Sequence, residues 1–112
     1  MKIKIWESKN PVKDMDVEFP LYSRWIVSDS ADIFNRVDAR GLCISISKDV
    51  GAWDENFDGP AYEIKRTKIN LARPLHESYL NSFGNRVYTE AEFLAVFDEM
   101  IAAIQKTRDA IL

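Results

Sequence analysis

The sequence predicts an α+β fold: a small antiparallel or mixed sheet of four to five strands packed against a long C-terminal helix, with two short helices between. Three observations carry this. Apolar residues alternate at period two near the start and again at 42–47, aromatic and β-branched residues crowd 19–27, and the one sustained helical stripe lies at the end of the chain.

Element by element, Ile3 and Ile5 alternate with Lys2 and Lys4, so the chain opens as a half-buried strand ending at Trp6. Residues 7–18 are charged, contain the turn signal Asn10-Pro11 and hold only Val12, Met15 and Val17 as apolar residues, which reads as a mobile loop. Phe19 to Val27 is the second strand, with Pro20 near its start, where a missing donor matters least. Ser28-Asp29-Ser30 offers helix-capping side chains before Ile33, Phe34 and Val37, and Gly41 follows, which predicts a short helix near 30–38. Leu42 to Ser47 is the third strand.

Further on, Tyr62 and Ile64 share one parity and Ile69 and Leu71 the other, so the run 61–72 either changes face or contains a bulge near 66–68, which predicts a kinked strand or a hairpin there. Arg73-Pro74 suits the start of a second short helix, with Leu75, Tyr79, Leu80 and Phe83 on one face and Gly84 at its end. Thr89-Glu90-Ala91-Glu92 is a capping box, and Phe93, Phe97, Met100, Ile101, Ile104 and Ile111 then line the stripe of the long helix.

Composition narrows the class. With 112 residues the chain is too short for two ordinary domains, so residues 1–112 are read as a single globular domain. An apolar fraction of 46% beside a charged fraction of 29% can fill a core and solvate a surface. No apolar run is long enough to span a bilayer, no signal peptide is evident, and the lone Cys43 fits a reducing compartment, so the expectation is a cytoplasmic protein that avoids membranes. A net charge of −3 argues against general affinity for nucleic acid. The charge is uneven, however: residues 41–64 are acidic, whereas 65–88 concentrate Lys65, Arg66, Lys68, Arg73 and Arg86 against the single acid Glu77.

The stretch Trp53-Asp54-Glu55-Asn56-Phe57-Asp58-Gly59-Pro60 begins like a calcium loop, with oxygen-bearing side chains at alternate positions ahead of a glycine. The pattern then fails, because the twelfth position, which needs a bidentate glutamate, is Lys65. Asp, Asn and Gly are equally the residues of an ordinary turn, so no metal is expected there. More informative are Trp53 and Phe57, aromatics set among charges, which either pin the loop to its own core or are offered to a partner as in binding hot spots.

Catalytic signatures are sparse. His76 is the single histidine, and nothing places it against Cys43 as a base beside a nucleophile. Arg24, Ser45-Ile46-Ser47 and Glu90-Ala91-Glu92 resemble the Arg, Ser-x-Ser and Glu-x-Glu elements of the mono-ADP-ribosyltransferases. That resemblance implies an enzyme using NAD, in which Arg24 holds a phosphate of the dinucleotide, Ser45 supports the sugar pocket and Glu92 stabilises positive charge on the ribose. It covers only these positions, and it departs from the family in that the glutamate pair opens a helix.

The basic stretch Lys65, Arg66, Lys68 and Arg73, with Tyr62 beside it and Tyr79 and Phe83 downstream, could also bind single-stranded nucleic acid by phosphate contact and stacking. Irregular spacing and net acidity argue for a solvated strand face instead. The function expected is a small protein-binding module, an inhibitor, immunity-type factor, adaptor or accessory subunit, a size that would suit phage or mobile-element proteins. It contacts its partner through Trp53, Phe57, Tyr62, Lys65, Arg66, Lys68 and Arg73, and no cofactor or catalytic residue is implied.

Overall fold

A computed structural model describes residues 1–7, 10–51, 59–80, 82–83 and 86–111, with the backbone alone at 10, 82–83 and 86–87. The architecture is mixed α and β, with the long C-terminal helix and more than one sheet. Strand β1 (Lys2–Glu7) pairs antiparallel with β2 (Asn10–Asp16). Further along come β3 (Leu21–Ile26), β4 (Ala31–Val37), β5 (Leu42–Asp49) and β6 (Ala61–Lys68), which form a four-stranded antiparallel meander in that order. Then β7 (Leu75–His76) joins β1 in parallel, completing a three-stranded sheet β2-β1-β7. A two-stranded ribbon of β8 (Ser82–Phe83) and β9 (Arg86–Val87) precedes the helix α1 (Glu90–Ile111).

The meander is the middle layer, because alternate residues of a strand point to opposite faces. Leu21, Val37 and Cys43 look one way, and with Ile3, Ile5 and Leu75 they form a core between the meander and the three-stranded sheet. Tyr22, Phe34 and Ile46 look the other way, onto Tyr88, Phe93, Val96 and Met100, so a second core lies under the first half of α1. Phe93 is 2% exposed and its ring centroid lies 5.7 Å from that of Tyr22.

This double burial corrects the short helix expected at 30–38. Val37 belongs to one core and Phe34 to the other, while Ile33 is half-buried, so apolar side chains on both faces of one strand imitate helical spacing. Ser28 to Ala31 is the hairpin turn before it, closed by Val27 N–H donating to Ala31 O at 3.0 Å. Gly41 sits in the next turn at φ +88°, a conformation that side-chain-bearing residues rarely adopt.

The expected loop at 7–18 is largely β2. Its residues 11–14 are exposed, so it lacks the alternation that reveals a strand, and its signal is charge instead. Lys2 faces Asp16 and Lys4 faces Asp14 across the hairpin, and Lys13 Nζ reaches Glu7 at 2.6 Å.

Of the two alternatives for 61–72, a bulge near 66–68 is not the one found: β6 pairs with β5 without a shift from Ala61↔Asp49 to Lys68↔Leu42. The change of parity at Ile69 marks the point where the chain leaves the sheet, with Ile69 N–H donating to Gly41 O at 2.7 Å. Nor do the described residues of 73–84 form an α-helix. Leu75, Tyr79 and Leu80 do turn toward the first core, but through β7 and a 3-10 turn, Glu77–Tyr79, capped by His76 Nδ1 accepting from Ser78 N–H at 3.2 Å.

The capping box holds at its first contact: Thr89 Oγ1 accepts from Glu92 N–H at 3.3 Å and Thr89 O from Phe93 N–H at 3.0 Å. Past Met100 the helix runs almost entirely exposed, so the predicted stripe is buried only in its first half. Among the described residues no helix is long and apolar enough to cross a membrane.

Candidate functional site

Strand β6 lies at one edge of the meander and among the described residues pairs only with β5, so its other side presents backbone donors and acceptors without ladder partners. Residues 63–68 are all exposed. Lys65 lies opposite Ser45, Arg66 opposite Ile44 and Lys68 opposite Leu42, which sets three cations within four residues along this edge. The one acid beside them, Glu63, lies 3.8 Å from Lys65, both exposed, a pair of negligible strength.

The β4–β5 turn adds a cation that sequence spacing does not predict. Asp38 Oδ1 accepts from the N–H of Arg40 at 2.9 Å and of Leu42 at 3.0 Å, which fixes the turn. The Leu42 N–H, with smaller help from the Arg40 N–H and charge, holds the Asp38 carboxyl below its usual range. Lys68 Nζ donates to Arg40 O, so Arg40, itself exposed, stands at the end of β6 beside Lys68. The signal for it is hairpin topology: a residue 28 positions away in sequence comes alongside only when β5 runs back along β4 and β6 along β5. Arg73 is exposed in the turn beyond, where its N–H donates to Asn70 O at 3.1 Å.

Tyr62 begins the same strand but is engaged elsewhere. Its hydroxyl donates to Glu99 Oε2 at 3.1 Å, and Lys48 Nζ donates to the same oxygen at 2.7 Å. The Lys48 hydrogen bond holds the Glu99 carboxyl low and the same bond raises Lys48, while burial, reinforced by the bond to Glu99, raises the Tyr62 hydroxyl. This cluster ties the sheet to α1. Of the other predicted contacts, Trp53 and Phe57 lie outside the described residues, as do Asp54, Asn56 and Asp58. Among the described residues no cluster of His, Cys, Asp and Glu could hold a metal ion.

The residues of the transferase resemblance are separated. Arg24 is on the α1 side of the meander, where its Nε and Nη2 donate to Asp32 Oδ2 at 3.1 and 2.5 Å, with its guanidinium 5.5 Å from the Phe34 ring centre. Ser45 is on the opposite face, donating to Asn35 Oδ1 at 2.6 Å. Glu92 and Arg24 do line one cleft of about 370 Å³, together with Asp32, Lys48 and Tyr88. Its two cations are already met by Asp32 and Glu99.

Cys43 and His76 likewise have separate employment. Cys43 is buried with Sγ 3.5 Å from Ser45 Oγ, and burial raises its thiol, the reverse of nucleophile activation. The His76 ring packs edge-on against Trp6 at 4.2 Å. Tyr79, expected as a stacking platform for bases, is instead packed at 4.9 Å against Trp25, whose Nε1 donates to Ser78 O at 2.7 Å.

No protein-family model matches the chain, no curated protein matches its sequence, and no solved structure matches its fold.

Proposed function

We propose that the chain is a protein-binding module whose docking element is β6. The observation that supports this is the coincidence, on a sheet edge that is free among the described residues, of backbone groups without ladder partners there with Lys65, Arg66 and Lys68, extended by Arg40 and Arg73. An extended segment of a partner can add to such an edge as a further strand, so that backbone hydrogen bonds supply affinity and side chains supply selection. Here the side chains select for acid. Charge complementarity of this kind governs encounter and register more than raw affinity.

The pairing of functions within the strand follows the same division. Tyr62 is committed to Glu99 and helps to hold the sheet on α1, so it supports the edge and does not itself contact the partner. Ile64, 42% exposed, offers the one apolar side chain among the cations. A small inhibitor, adaptor or accessory subunit would use such an edge without any catalytic group.

The test compares capture from native-host lysate by the tagged wild-type chain and by Lys65→Glu/Arg66→Glu, with circular dichroism as the check on folding. A stoichiometric protein held by the wild type, lost from the variant and lost at high salt supports the reading. Retention by both forms alike removes β6 as the docking element, and retention mainly of nucleic acid replaces it with the single-strand reading.

A further inference from the structure

We infer that α1 is also a dimerisation element, and that its occupant is the same helix of a second copy of this chain, running antiparallel. Leu94, Phe97, Ile101, Ile104, Arg108 and Ile111 alternate spacings of three and four residues, the repeat of a two-helix seam. This stripe lies on the flank of the buried face of Phe93, Val96 and Met100 and continues past its end. Leu94 is 49% exposed, Ile101 48%, Ile104 57% and Ile111 81%, while Phe97 is half-buried at the border of the core. A contiguous apolar row of this kind is unusual on a surface that faces only water.

What selects the occupant is the stripe's self-complementarity. When two copies run antiparallel with Ile101 level with Ile104 of the second copy, Leu94 comes level with Ile111 and Phe97 with Arg108, and the two-fold axis repeats all three layers. Four layers are wholly aliphatic. In the other two a guanidinium meets an aromatic ring, a favourable cation–π contact. Asp98 lies on the same flank as Arg108 of the second copy, one residue out of level, so the seam's cation also gains a carboxylate. Asp98 and Arg108 are both exposed and form no salt bridge among the described residues. A parallel, in-register pair would instead stack Arg108 on Arg108, so charge fixes the orientation as well as the partner. The closed two-fold arrangement uses the same patch on each copy.

The experiment is sedimentation equilibrium of the full chain from about 1 μM to about 1 mM, a range that spans weak to moderate self-association. The expected result is a monomer–dimer equilibrium with a midpoint below roughly 100 μM. Ile101→Glu/Ile104→Glu, at two exposed positions, should weaken it at least about 100-fold by leaving charges unpaired in the seam, with an unchanged circular dichroism spectrum. Asp98→Arg and Arg108→Glu should each weaken it roughly tenfold, and the two together should recover part of the loss caused by Arg108→Glu, the remainder being the two cation–π contacts that the glutamate cannot make. A monomer at every concentration overturns the proposal, and so does a dimer indifferent to the Ile101/Ile104 pair. A double charge swap that associates no better than Arg108→Glu alone overturns the antiparallel register. A monomer that co-sediments with phosphatidylserine-containing vesicles assigns the stripe to a lipid surface instead. Because β6 is a different element, Lys65→Glu/Arg66→Glu should leave the dimer intact, so failure here and failure of the partner-binding reading are separable.

Discussion

Gly41 and Ile69 approach so closely that no side chain fits between them: a Cβ placed on Gly41 would lie 2.1 Å from Ile69 O, while Ile69 N–H donates to Gly41 O at 2.7 Å. The contact pins the turn between β4 and β5 to the chain leaving β6, so it sets the end of the edge strand where Arg40 and Lys68 meet. Gly41→Ala should therefore combine backbone strain at positive φ with a steric clash and cost at least ~2 kcal/mol. A drop in urea midpoint at constant m-value is the readout, and a loss under ~0.5 kcal/mol would be incompatible with this packing.

The charge ladder of the first hairpin gives a second expectation. Lys4 and Asp14 are cross-strand neighbours on an exposed surface. Asp14→Lys should destabilise the protein by roughly 0.2–1 kcal/mol, and adding Lys4→Asp should recover most of the loss. Equal stability of the single and double variants would show that the pair contributes nothing.

Along α1 the cost of truncation should change abruptly. Phe93, 2% exposed, fills the second core, so Phe93→Ala should cost ~3–5 kcal/mol. Ile111→Ala, at 81% exposure, should stay within ~0.5 kcal/mol in dilute solution. Chemical denaturation of both variants checks the contrast; similar losses would mean that the far end of the helix is covered in the monomer.

The cluster of Lys48, Tyr62 and Glu99 predicts a shallow dependence on pH at both extremes. Glu99 is held below its unfolded value, so its contribution is complete above the ordinary glutamate pKa and is lost as pH falls through the folded one. Lys48 and Tyr62 are raised, so their contributions are complete below their unfolded values and are lost as pH rises through the folded ones. The Glu99 side chain is 48% exposed, so solvent screening keeps the acid-side effect under ~1 kcal/mol. Thermal melts across pH should show Glu99→Gln losing stability at neutral pH and flattening the acid limb; an unaltered acid limb would assign that limb to other carboxylates.

The parts of this fold that can be read from sequence are those with one wet face and one dry one. Ile3 and Ile5 alternate with lysines, and Phe93 to Met100 repeat at helical spacing, because each segment meets a single core. The misread parts depart from that condition. β4 is apolar toward two cores, β2 is exposed on both sides along most of its length, and Leu75 to Leu80 reach the core through a strand and a 3-10 turn. In the candidate site, Lys65, Arg66, Lys68 and Arg73 were visible as a charge run, but their edge position and Arg40 depend on strand order, which local pattern does not encode. The hydrogen bond of Tyr62 to Glu99 is equally illegible in the sequence, because its acceptor is supplied by a distant helix.

The parallel bridge of Ile5 to Leu75 and Trp6 to His76 has a consequence for how the molecule is made. The first strand pairs at once with β2, but its second partner arrives only after the entire meander has been synthesised, so the layer that begins the chain is among the last to be finished. Until then Ile3 and Ile5 have no complete shelter. Closing so long a loop carries an entropic cost that local hairpins avoid. The meander, built from neighbours in sequence, is the template on which the rest is assembled.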